Sequence, residues 1–532
     1  MKTMKNNIFK ASLFLGMLLT LGSCKKALNE NFTDPDKSTQ TSLPGFLTAI
    51  LNNNRVKPMY WNVRTFLFLQ PALYSQTAYF PISPRMYQQN DSYVGGYWTD
   101  FYTSSSNGSG VMGLFRTMEV AYNGMSASDQ AGQKIYLEAA RVVLYDQASQ
   151  MIDLWGDIPY TEAGSLQTTS GIKNPKFDEQ KALYDLIIAG LDASNTYFST
   201  IATTPGFSKA DILLKGNIDL WRRYTNSIRL RMLMRISKVN ESTAQTSILA
   251  MLNNPTKYPL IDGGNLANYS PAASDVLLQQ LTDNNSNLNS AFTEGSLYAP
   301  DYMLNTAMVP ANDPRIPIMF DKYGKTVDGK FVPNPTYKAM PITYTDAEQQ
   351  AHAGEFAIMD SVTFAQNPKL PGAVMTASEV NFLKAEAYER WGSSATAQAS
   401  YELAVKQSVS FYYYLNGTNA TGLKTTPKPD DATINTFATA STIAYTGSST
   451  QKLALIYVQK WLHFGFLQSV QAWSEYRRTG YPQLNFPVGT AAGFTTPPTR
   501  LTYPSVETSY NAANYQAVKS KDTRTTKIFW QP

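Results

Sequence analysis

Residues 376–410 read TASEVNFLKAEAYERWGSSATAQASYELAVKQSVS. Gly392 sits where an apolar helical period breaks and restarts. Ala385 and Tyr388 stand before it, and Ala397, Tyr401 and Ala404 follow. The pattern predicts two antiparallel helices joined at the glycine. Small side chains let the two helices approach closely, and the tyrosines fill the gap between hairpins. Glu386 and Arg390, four apart on the first helix, are an expected ion pair.

This order of small, aromatic, turn, alanine, aromatic and alanine resembles a tetratricopeptide repeat. Such units bury a continuous face only when three or more stack, so further helices are expected beside this one. The sequence supplies them. Residues 132–156 place Ile135, Ala139, Val142, Val143 and Ile152 at helical spacing. Residues 177–198 open on an acidic turn and run through Leu183, Leu186, Ile187 and Leu191. Residues 217–237 carry five arginines spread around the helical wheel, which suits ion pairs inside a bundle better than a nucleic-acid stripe. Residues 448–482 continue the helical theme up to Gly480 and Pro482. Three long loops are expected between them, near 56–110, 240–375 and 415–445.

The chain has 532 residues, 43% of them hydrophobic and 16% charged, a globular balance. Net charge is +5, of which Lys2, Lys5 and Lys10 supply three; without them the balance is +2, too small to argue for nucleic acid. Residues 1–23 read as a signal peptide: three lysines, then the apolar run ASLFLGMLLT, shorter than a membrane span. Leu21-Gly22-Ser23-Cys24 resembles a bacterial lipobox, in which the peptide is cut before the cysteine and the thiol is acylated. Cys24 is the only cysteine, which excludes an internal disulfide. Two or more acyl chains hold a protein firmly on a bilayer. The polar stretch 24–42 then reads as a tether, and 43–532 as one folded body.

Catalytic and metal motifs are weak. GSGVMG (108–113) has dinucleotide-loop spacing but no strand before it. GKT (324–326) lacks the first glycine of a phosphate loop, because position 319 is Met. Asp283, Asn285, Asn287 and Glu294 match calcium-loop spacing, yet Leu288 occupies the position that needs glycine, so a polar loop is expected. His463 is expected to be structural and His352 solvated. Glu379 and Glu386, seven apart on one helix, read as bundle residues rather than a glycosidase pair. No metal, cofactor or catalytic residue is assigned.

The strongest site signal is aromatic. From Tyr60 to Tyr102 there are 13 aromatics in 43 residues, against a chain average of 12%. Only four charges share that window. A loop of this content presents flat faces beside hydroxyls, which suits the C–H faces and hydroxyl rims of sugars, and short peptides as well. Tyr79, Tyr97, Trp98, Phe101 and Tyr102 are the candidate ligand-binding residues; Cys24 is the lipidation site.

Six phrases occur in order: DLWGDIPYTEA (153–163), WRRYTNSIRLRMLMRIS (221–237), DPRIP (313–317), VMTASEVNFLKAEAYERWG (374–392), EYRRTGYPQL (475–484) and RLTYPSVETSYNAANYQAV (500–518). With the lipobox they resemble the SusD/RagB family of Bacteroidetes outer-membrane lipoproteins. The resemblance implies a mostly α fold: an α/α scaffold of tetratricopeptide-like hairpins carrying long irregular loops. It implies a non-enzymatic surface protein that binds an oligosaccharide or oligopeptide. The ligand would pass to a SusC-like TonB-dependent β-barrel transporter for import, with no nucleic-acid partner. Asp157 and Pro159 would shape the turn after a helix, and Arg477 and Arg478 would pair with buried acids. Lys25 and Lys26 follow the cysteine where exported relatives often carry acids, so display on the outer face is inferred from the family alone. A lipid-anchored scaffold that binds another protein and no small ligand is the alternative reading.

Overall fold

The computed structural model describes residues 42–104, 110–165, 171–281 and 287–532. Cys24, the signal segment and most of the tether lie outside the described residues, as do Gly108, Asp283 and Asn285.

Helices dominate. Helix α1 (Leu43–Leu51) is followed by a π-helical segment, Asn62–Ala72, and by α2 (Asp91–Tyr102), α3 (Val111–Asn123) and the long α4 (Ala127–Trp155). Then come α5 (Gln180–Phe198), α6 (Ile218–Arg235) and α7 (Glu241–Leu252). The predicted hairpin is α8 (Ala377–Trp391) and α9 (Ser394–Gly417), and the last large pair is α10 (Ser449–Phe464) and α11 (Ser469–Thr479). Side-chain caps start many of them. Ser126 accepts the Asp129 amide at 3.2 Å, Thr376 accepts that of Glu379 at 3.2 Å, and Ser448 forms a reciprocal capping box with Gln451.

The hairpin forms as its spacing predicts. Ala385, Ala397, Tyr401 and Ala404 are fully buried, α8 packs along α9, and α10 lies against α8. At Gly392 a Cβ would come within 3.0–3.3 Å of Tyr388, tight enough to disfavour any side chain in the turn. Helices α5 and α6 pack side by side, with α4 against α5 and α7 against α6. One apolar cluster runs from Leu43 to Trp530.

Residues 448–482 are helical up to Gly480 as expected, in two helices, because Gly465 (φ 49°) breaks the path between α10 and α11. Two expectations need correction. Residues 93–102 are helical, not loop. Gly95 and Gly96 disfavour a helix by about 1 kcal/mol each, yet Val94, Tyr97, Trp98 and Phe101 share one face and are all buried. That burial outweighs the local cost. The 240–375 region likewise holds α7, short helices and three antiparallel two-stranded ribbons. These pair Val276–Leu278 with Gly372–Met375, Phe320–Asp321 with Ile358–Met359, and Gly324–Val327 with Lys330–Pro333.

A buried ion lattice ties the helices together. Arg231 of α6 reaches Glu379 of α8 (2.6 Å) and Asp146 of α4 (3.1 Å). One turn on, Arg235 meets Asp153 (3.5 Å) and Glu475 of α11 (2.9 Å). Arg478 holds Glu386 and Glu475, both at 2.6 Å, and Lys460 of α10 joins the same two acids. Asp146 and Asp153, like Glu379 and Glu386, are seven apart, so each pair shares a helix face. Such lattices add little net stability but leave a large penalty if one member is lost. Arg390 and Glu386 pair at 3.4 Å as expected. Arg477 differs from expectation: it donates to the carbonyls of Asp153 and Thr499 and stacks on Trp473, 3.9 Å from the ring centre.

Candidate functional site

The π-helical segment 62–72 separates two clefts. On one side lies a cleft of about 590 Å³ between Leu69, Gln70 and Leu73 and the chain at Glu294–Tyr298, with Asp346 and Gln349 at its far rim. A small apolar cluster of Tyr79, Tyr298, Met340, Phe356 and Ile358, distinct from the main core, backs it. On the other side, Trp61, Thr65 and Phe66 face Ser92, Tyr93 and Gly96 of α2 across a cleft of about 310 Å³, floored by Arg55, Asn62, Tyr97 and Asp100. π-Helical turns are rare and recur at functional sites.

Between the clefts stands an aromatic ridge. Trp61 is 52% exposed. Tyr60 meets it edge to face, with ring centroids 5.2 Å apart. The Tyr60 hydroxyl donates to Glu294, a contact that raises its pKa, and Arg64 approaches the same carboxylate at 4.0 Å. The ridge therefore touches a lining residue of each cleft: Glu294 on one side, Trp61 on the other.

The five sequence-predicted rings divide. Tyr79 is buried in the wall of the larger cleft; its ring packs edge-on to Tyr298 at 6.0 Å and its hydroxyl donates to the Pro341 carbonyl. Tyr97 borders the smaller cleft, stacked on Phe66 at 3.5 Å and covered on its other flank by Arg55 at 3.7 Å. Burial raises the phenol pKa of both tyrosines and lowers that of Arg55. Trp98 is 1% exposed, meets Trp155 and Tyr503, and donates through Nε1 to Glu507 at 2.9 Å. Phe101 is fully buried. Tyr102 is half-buried and donates to the Pro159 carbonyl at 3.0 Å. The idea of Trp98, Phe101 and Tyr102 as open stacking faces is corrected: their helix turns Trp98 and Phe101 into the core, and Tyr102 packs against Trp98 and Phe101. Sequence reasoning did not single out Trp61. The available signal was its place beside Asn62 at the start of the aromatic-rich window, outside the α2 stripe.

Other candidates settle into the scaffold. His463 is buried between Thr376 and Ser408, and burial, then the Arg315 charge, push its pKa down to about 3. His352 is partly exposed and pairs with Glu355 at 2.8 Å. Gly324–Val327 is a strand of the third ribbon. Val111–Gly113 open α3. Among the described residues no three His, Cys, Asp or Glu side chains group as a metal site, and no helix is long and apolar enough to cross a membrane.

Fold and clefts together define a helical-hairpin scaffold with open, aromatic-edged clefts on its surface. The family described as "Starch-binding associating with outer membrane", SusD-like, matches residues 45–504. The chain belongs to this SusD/RagB family of Bacteroidetes. Among solved structures, a chitin-binding protein shares 21% identity at a TM-score of 0.72, covering 92% of this chain and 100% of its own. A SusD homolog from Bacteroides uniformis shares 19% at 0.67, covering 93% and 100%. A chitin-binding SusD homolog from Flavobacterium johnsoniae shares 21% at 0.67, covering 92% and 98%. At these identities the likeness establishes the fold. No curated protein matches the sequence.

Proposed function

We propose that this protein captures a glycan at the cell surface for import, without itself acting as an enzyme. The observation that carries the reading is the half-exposed Trp61, held edge-on by Tyr60 between two clefts lined with hydroxyls and amides. A fixed ring at a cleft lip offers a face to the C–H side of a sugar, and the neutral polar groups around it serve the hydroxyls. The family description and the chitin-binding names of two structural neighbours support a carbohydrate over a peptide. In this reading an acylated Cys24 tethers the body to the outer leaflet, and a SusC-like TonB-dependent barrel receives the ligand. Tyr79 and Tyr97 remain in the proposed site as wall residues.

Calorimetric titration of mature protein with neutral oligosaccharides and short peptides tests it. Trp61→Ala is expected to weaken glycan binding about fivefold, the equivalent of about 1 kcal/mol for one stacked ring. Peptide binding with no glycan binding would overturn the reading, as would glycan binding that Trp61→Ala leaves unchanged.

A further inference from the structure

A third groove shares no lining residue with the two clefts beside the ridge. It is formed by a second π-helical segment (Tyr302–Met308), the chain at 441–447 and α10, and holds about 470 Å³. Small-molecule sites run from about 300 to 1,000 Å³.

The groove is fixed by contacts behind it. The Tyr401 hydroxyl donates to the Ile443 carbonyl at 2.8 Å and that of Tyr445 to Glu389 at 2.9 Å, which pins the 441–447 chain to the α8–α9 hairpin. The Ser448–Gln451 capping box sets the angle at which that chain enters α10. On the other wall, Tyr302 packs edge-on to the buried Trp461, with ring centroids 5.9 Å apart. A site shaped in advance loses less to ordering when a ligand arrives.

The lining sorts into a floor and a rim. Half-buried Tyr302, Ala307, Ala454 and Val458 supply apolar surface. Exposed Thr306, Ser441 and Thr442 stand around them, and their hydroxyls make no hydrogen bond to another described residue. No charged side chain lines this groove, whereas Arg85, Glu294 and Asp346 line the larger cleft and Arg55 and Asp100 the smaller. An ionised ligand would find no counter-charge here. A docking protein would find no large exposed apolar anchor, because Tyr302, Leu455 and Val458 are each partly covered. The lining fits a neutral ligand with C–H faces and hydroxyls on one frame, the make-up of a sugar chain.

Resting on the glycan-capture reading for the class of ligand, we propose that the groove between Tyr302–Met308 and α10 is a second oligosaccharide site, independent of the Trp61 clefts and selective for uncharged chains.

The test is equilibrium dialysis of the mature chain against labelled hexamers of α-1,4-glucose, β-1,4-glucose and β-1,4-N-acetylglucosamine. At least one is expected to bind with two separable affinities. Trp61→Ala is expected to weaken one of them about fivefold and leave the other unchanged. Ala307→Leu with Ala454→Leu fills the floor from two walls and is expected to abolish that other affinity; either leucine alone serves where the pair lowers the melting temperature. A single affinity untouched by the leucine substitutions overturns the proposal, and glycan capture stands if Trp61→Ala weakens it. Two affinities both untouched by them also overturn it. A single affinity lost with the leucine pair and indifferent to Trp61→Ala upholds this groove and removes the Trp61 site. Binding of none of the three hexamers overturns both.

Discussion

Trp98→Ala and Trp61→Ala separate the rings that build the core from the ring that faces solvent. Trp98 is fully buried against Trp155 (5.1 Å), Tyr102 (5.3 Å) and Tyr503 (5.7 Å), and its indole N–H satisfies Glu507. Truncation to alanine forfeits the transfer free energy of the indole and leaves a cavity that α2 cannot close, a cost of about 3–5 kcal/mol. Glu507 retains Asn511 as a donor, so no carboxylate is stranded and the figure belongs chiefly to packing. A folded body of about 490 residues has an unfolding entropy near 1 kcal/mol/K at its midpoint, so this loss lowers the melting temperature by about 3–5 °C. Trp61 is half in solvent, and its truncation is expected to move the midpoint by less than about 0.5 °C. Differential scanning calorimetry on both variants reads the contrast. A Trp98→Ala protein that melts within 1 °C of the parent yet loses glycan affinity would refute the reasoning, because it would place that ring in the binding face.

Three further outcomes follow from the buried charges and the anchor. Glu386 is raised by burial but held down to about 2 by Arg478 and then Lys460; Glu386→Gln leaves those two buried cations sharing Glu475 alone, and thermal unfolding should show a loss of about 3 kcal/mol. His463 has a folded pKa near 3, below its usual value of about 6.5, so its contribution is complete above pH 6.5 and is lost as pH falls toward 3. Denaturant titrations between pH 6 and 4 should accordingly give His463→Gln a shallower pH slope than the parent by about 1.4 kcal/mol per pH unit. Cys24→Ser is expected to abolish palmitate labelling and release the protein from the envelope fraction; undiminished retention would sink the lipid anchor.

What the amino-acid order determined by itself is the periodic part of the molecule. Apolar spacing over 132–156 and 177–198 foretold α4 and α5, the arginine-bearing stretch 217–237 foretold α6, and the alanine–tyrosine pattern around Gly392 foretold α8 and α9. Those signals are local: a 3.6-residue period and a turn glycine are legible within one helix or one hairpin. The spread of arginines on α6 announced internal ion pairs, though not which acids they would meet. Tertiary structure alone decided the rest. Gly-Gly and the surrounding serines and threonines made 93–110 read as loop, and only burial of Val94, Tyr97, Trp98 and Phe101 against distant chain turned 91–102 into helix. The same burial moved the candidate site from Trp98 to Trp61, because exposure of a ring depends on what packs over it, and that is contributed by residues hundreds of positions away, such as Tyr503 and Glu507.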